Sequence, residues 1–385
     1  MLEDYKKYYY GRTDMTMLND EKVYGSLGIN LKKITTIVEG VGSLMLPNGL
    51  KAPLERLELI GNSVQGENPS PDNPQEIKSA GKYDEVSGKY LLDVKVTGKN
   101  LFDIKDITSE TPQWLEIPCL IKNNIYIKSN NSTVLVENNQ ARLTVCFKDG
   151  TSRAMYDDSM TNGLPFKANS ENPITTIKVR GTHIKSGVYS GIQVEYGNEP
   201  TPYEPYTEQS VQIILDEPLR GIGKYKDTIT KDGVVRKIHE QTLKKEQISV
   251  NAYNWDTKYF RLYVIPDKKI DSSISIPELF SNMFKKFVIY KGNPIVYWII
   301  SEEEIRSMGI TETDSLQVAY EKIKDFVTTN DIVIQYPIVE TTLEPLPESV
   351  QAQLQALHSE NGTTHVFVDS GEVPCGIKVE YVVGV

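Results

Sequence analysis

Beyond Ile34, apolar and polar residues tend to alternate with a period of two, which predicts strands. KITTIVEGVGSLML and LERLELIG flank Pro47-Asn48-Gly49, so two strands split by a turn are expected there. Asn68 to Pro74 (NPSPDNP) holds three prolines in seven residues. Proline fixes φ and lacks an amide donor, so this is an extended, rigid loop outside any central strand. YLLDVKVTG returns to strand alternation. Between 98 and 216, NNIYIKS, STVLVENN, ARLTVCFKDG, ITTIKVRG and GVYSGIQVEYG recur at short spacing, punctuated by Gly, Asn and Asp. Regular short strands with such turns predict a sandwich or jelly roll.

The remainder, 217–385, is mixed. LDEPLRGIG and GVVRKIHEQTL read as strands. Pro277 to Phe287 places Leu279, Met283 and Phe287 on one helical face. Asp314 to Val327 repeats Leu316, Tyr320, Ile323 and Val327 and predicts a helix capped by Thr313 or Asp314. NPIVYWII between them fits a buried strand. PESVQAQLQAL predicts a short helix with Val350, Leu354 and Leu357 on one side, and TTHVFVDS and GIKVEYVVGV are closing strands. Residues 1–33 are polar and Tyr-rich, an arm that cannot bury enough surface to fold alone. The expectation is a mainly β protein. A central jelly-roll sandwich (98–216) is inserted between two parts of a second β-rich domain (34–97 and 217–385), with a helical insertion at about 270–330. Both flanks are strand-rich, yet neither alone makes a closed sandwich.

Three cassettes add a resemblance. The first runs APLERLELIGNSVQGENPSPDNPQEIKSAG from Ala52 and ends in VTGKNLFD at Asp103. The second is IQVEYGNEPTPYEPY, ending at Tyr206, and the third is PLRGIGKYKDTI at 218–229. Together they resemble a family of tail-associated minor structural proteins of Firmicutes phages and prophages, which are baseplate or tail-appendage proteins. The resemblance covers the chain from about Ile34 to its end. It implies a carbohydrate-binding-module-like jelly roll opened by GKNLFD and closed by the proline- and tyrosine-rich cassette. It also implies a virion protein assembled in the bacterial cytoplasm and released by lysis. Its partners would be other tail or baseplate proteins, further copies of itself as a homo-oligomer, and a host cell-surface saccharide. The family segment before LPE is usually shorter, so 270–330 is where the resemblance says least.

Composition narrows this picture. A net charge of −10 argues against a phosphate-tracking nucleic-acid binder. No stretch of about 18 apolar residues and no apolar N-terminal signal core appears, so neither membrane insertion nor classical export is expected. Cys119, Cys146 and Cys375 are scattered and form no CxxC or Cys/His cluster, so neither zinc nor a disulfide is expected. The 22 tyrosines against 9 phenylalanines suit half-buried sheet faces and polar contact surfaces.

Candidate chemistry is sparse. His183, His239, His358 and His365 are far apart, and His365 reads as a packing residue of the final sheet. No nucleophile elbow, P-loop or HExxH occurs, so the chain is read as a non-enzyme without cofactor. Its carboxylates keep a cell-wall glycoside hydrolase open as an alternative. Asp157-Asp158 reads first as a solvated pair and second as a structural Ca²⁺ site. For a saccharide, Trp114 in TPQWLEIP is the stacking candidate, supported by Tyr156, with Arg153 and Asp157 reading hydroxyls. Tyr126 and Trp255 are weaker aromatic candidates. Tyr5, Tyr8, Tyr9 and Tyr10 are the candidate particle-attachment residues. The favoured function is a tail-tip or baseplate appendage contacting host glycans, and the alternative is an architectural adaptor that binds neighbouring subunits and no sugar.

Overall fold

The computed structural model describes residues 16–18, 31–112, 114–136, 140–271, 279–285, 287–289 and 295–384. Tyr5, Tyr8, Tyr9 and Tyr10 lie outside them. The fold is mainly β, with 51% strand and 11% helix. Among the described residues its largest sheet has 13 strands, all antiparallel where paired, and draws on segments from both halves of the chain. Lys89–Thr97 lies between Glu208–Leu215 and Gly362–Asp369, and Gly376–Gly384 lies between Leu31–Val38 and Glu55–Ile60. Period-two alternation drives the assembly: Leu92, Val94 and Val96 point inward from one strand, and Ile377, Val379, Tyr381 and Val383 from another, all buried. The helix Glu348–Ala356 closes this core with Leu354 and, just past its end, Leu357.

Residues 98–207 leave this sheet after Thr97 and return at Glu208, which is paired with Thr97. In between, the chain crosses repeatedly between two sheets in jelly-roll manner. One sheet has the order Leu115–Ile121, Ile174–Val179, Ala141–Phe147, Ser152–Tyr156. The other has the order Leu164–Phe166, Ile125–Ser132, Tyr189–Tyr196. Ile125, Ile127, Leu143, Val145, Phe166 and Ile177 meet between them at 0% exposure.

The opening and closing cassettes act as fasteners. Asn100, 2% exposed, donates to the Ile192 carbonyl at 3.1 Å and accepts from the Val194 N–H at 3.0 Å, standing in for a missing strand partner. Buried Gln193 and Glu195 hold the closing cassette: Glu195 accepts from the Thr201 N–H at 2.9 Å and Gln193 from the Glu204 N–H at 2.8 Å. The third cassette locks onto the first through two glycines. A Cβ on Gly61 would fall 2.2 Å from the Arg220 carbonyl oxygen, and one on Gly221 would fall 2.2 Å from that of Gly61. Any side chain at either position forces these backbones apart.

A third core forms where 243–338 extends beyond Gly233–Thr242. The strands Ile248–Asn254, Tyr259–Val264, Phe287–Ile289 and Val296–Ile300 make its sheet, covered by the helices Glu302–Ser307 and Leu316–Thr329. Val296–Ile300, the described strand of the NPIVYWII run, is buried as its apolar sequence predicts. Glu302, Glu303 and Glu304 form an acidic first helical turn, favoured by the helix dipole and capped by Ser301.

Several local expectations are corrected. The described part of 277–287 is not helical. Phe280–Ser281 pairs with Ile334–Gln335, and the Ser281 hydroxyl accepts from the Met283 and Phe284 N–H groups, a turn that competes with helix. Of the three residues expected on one face, Leu279 and Met283 are still buried and the turn buries Phe284 beside them, while the Phe287 side chain lies outside the described residues. The later helix is capped by Ser315, and it buries Ala319, Ile323 and Val327 while Leu316 is exposed. Pro47-Asn48-Gly49 is a bulge inside the strand Ser43–Gly49 rather than a turn between strands, with Asn48 at φ +57°. The arm boundary also moves, since Leu31 already pairs with Gly384, and Thr16–Leu18 pairs with Thr35–Ile37.

The sandwich meets the large sheet through an aromatic joint. Tyr196 lies edge-on to His365 at 5.1 Å, and His365 stacks with Phe367 at 6.0 Å. Burial pushes the His365 imidazole down to about 3 from its ordinary 6.5. The unfolded chain therefore binds a proton below about pH 6.5 that the folded chain refuses until about pH 3, and stability falls as pH falls through that window. Between pH 7 and pH 5 the loss from this residue is about 2 kcal/mol. Urea unfolding at the two pH values measures it. His365→Leu should remove that part of the pH slope, and an unchanged slope would refute the assignment.

Candidate functional site

The outer face of the four-stranded sheet collects the residues best suited to a contact. Leu115 pairs with Val179, and Val179 with Leu143, which stands opposite Met155. Val179, Leu143 and Met155 point into the core. Just past the ends of their strands lie Trp114 and Arg180, and across the bulge at buried Arg142 the next residue, Tyr156, turns away from the core opposite Ala141. Trp114 is 38% exposed and Tyr156 49%. Three strand spacings of ~4.8 Å separate them, about 14 Å in all. Arg180 fills the gap. Its guanidinium carbon is 4.8 Å from the centre of the Trp114 ring, its Nε donates to the Ala141 carbonyl at 2.7 Å, and an Nη donates to Gln140 at 3.1 Å. Glu116 and Lys178, paired at 2.5 Å, sit in the next row. The result is a strip of one indole, one guanidinium and one phenol, with the Gln140 amide bonded to the guanidinium.

The structure separates the four residues expected to read a saccharide. Trp114 and Tyr156 share the outer face, whereas Arg153 and Asp157 do not join them. Arg153 stands opposite Val145, on the core side of an edge strand. There it bends over the Phe166 ring at 5.4 Å and donates to the Pro165 carbonyl at 2.9 Å, covering the open side of the sandwich. Asp157 is an internal anchor. It accepts from Arg142 Nε at 2.6 Å, from the Tyr189 hydroxyl at 2.6 Å and from the Gln140 N–H at 2.8 Å. Arg142 is fully buried and also donates to the Thr182 carbonyl. Burial pushes the Asp157 carboxyl up, but the bonds from Arg142, Tyr189 and Gln140 outweigh it and hold the group below the usual carboxylate range. A carboxylate ringed by cationic and N–H or O–H donors is the reverse of a Ca²⁺ cage, so Asp157 is corrected from both of its expected roles.

The weaker aromatic candidates are structural. Tyr126 is 7% exposed and donates to the Asn162 carbonyl at 3.0 Å. Trp255 packs on Phe260 at 4.9 Å, donates to the Tyr253 hydroxyl at 2.7 Å and lies beneath Arg306 at 4.9 Å. Sequence reasoning missed Arg180 and Gln140. For Arg180 a signal existed: in ITTIKVRG, Lys178 and Arg180 alternate with Ile177 and Val179, so the strand period alone places both cations outside.

Among the described residues no group of three or more His, Cys, Asp or Glu side chains is arranged to hold a metal ion. The three cysteines are unpaired, and burial pushes the Cys119 and Cys375 thiols up to about 12, far from a reactive thiolate. No family model, curated protein or solved structure matches the chain.

The division of labour between Asp157 and Trp114 is measurable. Asp157→Ala strands a buried guanidinium and should cost about 3 kcal/mol of sandwich stability. Trp114→Ala loses a half-exposed cation–π contact and should cost about 1 kcal/mol or less. Chemical denaturation of both variants checks this, and equal losses would overturn the assignment.

Proposed function

We propose that the protein is a structural component of a phage tail or phage-tail-like particle, a baseplate or tail-tip appendage that contacts host-surface saccharide through its jelly roll. One observation carries the reading. The cassettes that resemble those of tail-appendage proteins serve as the fasteners of a sandwich mounted, by both of its ends, on two neighbouring strands. A module held in this way presents a surface rather than enclosing a reaction. On its outer face the Trp114–Arg180–Tyr156 strip offers what saccharides require, an aromatic plane for C–H faces and donors for hydroxyls. The hydrolase alternative needs two convergent carboxylates in a cleft. Asp157, the first of the acidic pair, is instead bound by Arg142 and Tyr189.

A specific observation also favours the adaptor reading. Along Val333–Pro345 the last seven residues are exposed, including Val339 at 47% and Leu343 at 59%. Residues 342–345 pair on one side with Gly233–Arg236, and among the described residues their other edge is open. An open edge with apolar side chains suits a neighbouring subunit.

Two experiments test the proposal. Particles carrying Trp114→Ala should assemble normally and adsorb to host cells more weakly, by about tenfold or more. Wild-type adsorption would remove the strip as the contact and leave the adaptor reading. Deleting residues 1–30, which spares the Leu31–Val38 strand, should leave a folded protein that fails to enter particles. Normal incorporation would sink the arm as the attachment.

A further inference from the structure

A groove of about 450 Å³ lies on a different part of the sandwich, between the segment after Asn100 and the closing cassette. Its volume falls in the ~300–1,000 Å³ range of small-molecule sites. The sequence of its first wall explains its polarity. In NLFDIKDI, Leu101, Ile104 and Ile107 anchor in the core at 3%, 7% and 0% exposure. The intervening Asp103, Lys105 and Asp106 are thereby lifted to the surface, where they line the groove.

The second wall carries Tyr203, 38% exposed. Its ring lies against Gly191, where an added Cβ would come within 3.2 Å of ring carbons Cε2 and Cζ. Gly191 also has φ +61°, so both the backbone and the close approach call for glycine. The ring is held from both sides in sequence. Pro202 and Pro205 restrict the backbone, Lys99 donates to the Pro202 carbonyl and pairs with Glu204 at 2.9 Å, and buried Gln193 and Glu195 fix residues 204 and 201. An exposed aromatic plane immobilised before any ligand arrives loses little entropy on binding.

We propose that this groove is a saccharide-binding subsite, with Tyr203 as the stacking platform and Asp103, Asp106 and Lys105 as partners for hydroxyl groups. Lys105 pairs with Asp103, so Asp106 leaves the rim acidic. Carboxylates accept hydrogen bonds from hydroxyls and the acidic rim disfavours phosphate and uronate, so the class is a neutral pyranoside rather than an anionic wall polymer. The proposal rests on the glycan-contact reading of the sandwich but adds a site distinct from the Trp114 strip.

Saturation-transfer NMR on the full chain tests it. The probes are the methyl glycosides of glucose, galactose, rhamnose and N-acetylglucosamine, with glycerol phosphate as the anionic probe. At least one neutral glycoside should bind, with a dissociation constant on the order of 0.1–1 mM. Tyr203→Ala should weaken it about tenfold, and Tyr203→Phe, which keeps the ring on Gly191, should stay within about threefold of wild type. Thermal unfolding confirms that both variants fold. Wild-type affinity in Tyr203→Ala, equal loss in both variants, or binding of glycerol phosphate alone would each overturn the subsite. Failure here with adsorption still dependent on Trp114 removes only the groove. Failure of both removes glycan contact altogether.

Discussion

Everything about the placement of the sandwich depends on one strand pairing, Lys89–Thr97 against Glu208–Leu215. The register is unbroken over eight residue pairs, from Tyr90↔Leu215 to Thr97↔Glu208. Residues 98–207 therefore depart and return at the same point. Because the excursion folds around its own core, the entropy of closing so long a loop grows only as the logarithm of its length and is met by packing within the sandwich. Two adjacent tethers restrict rotation, and the Tyr196–His365–Phe367 contact supplies a third point. The mount is specified by backbone pairing and aromatic packing, both insensitive to which side chains decorate the outer surface. That separation lets the exposed face vary without disturbing the platform.

The second constraint is a set of buried charges at the opposite end of the large sheet. Asp227, with no exposure, accepts from the Lys237 N–H at 2.7 Å, the Ile238 N–H at 3.0 Å and the Arg220 N–H at 3.1 Å. Arg236 stands 3.3 Å away and ties in Glu344 and the Pro218 carbonyl. Burial pushes the Asp227 carboxyl up despite these partners, so the ionic pairing is a poor source of net stability. What the network supplies is position. The third cassette, the strand Gly233–Thr242 and the strand Val333–Pro345 are tied at one carboxylate and one guanidinium, and the Gly61–Gly221 approach then fixes the first cassette against them. Arg142 and Asp157 do the same inside the sandwich. In both places buried charge is spent on geometry, and Asp157 is the one that reads in sequence as solvated or functional.

That contrast explains what the sequence reveals and what it hides. Alternation makes Lys89–Thr97, Ile174–Val179 and Gly376–Gly384 readable, because one buried face imposes a period of two on each strand. The split arrangement of the large sheet was suggested by two strand-rich flanks that each lacked partners. Features decided by distant partners leave no local trace. Asp157 looks like a loop carboxylate until Arg142 and Tyr189 converge on it, and Arg153 looks free until the sandwich edge brings Phe166 beneath it. The segment at 279–285 carries helical spacing, but Ser281 captures two backbone N–H groups, and spacing alone does not separate a packed turn from a helix. Within the candidate site, Trp114 and Tyr156 were legible as aromatics in polar surroundings. Arg180 was legible only through its alternation.

On the proposed reading, the charge pattern also dictates how strongly such a protein can hold a cell. The chain carries −10 overall, and the outer-face cations are already engaged, Lys178 by Glu116 and Arg180 by Trp114 and Gln140. Long-range attraction to anionic wall polymers is therefore weak, and it is screened beyond about 8–10 Å at physiological salt. Affinity must come from stacking and from hydrogen bonds to neutral hydroxyls, which exchange against water and net little each. A single site at ~0.1–1 mM releases its ligand too readily to retain a particle. Several copies held at fixed spacing by a particle rebind at high effective concentration, and rigid mounting is what makes that concentration high, since flexible sites dilute one another. Weak, neutral recognition and a stiff two-strand mount thus belong together: either one alone would make a poor adhesin, and the sandwich has the geometry to combine them.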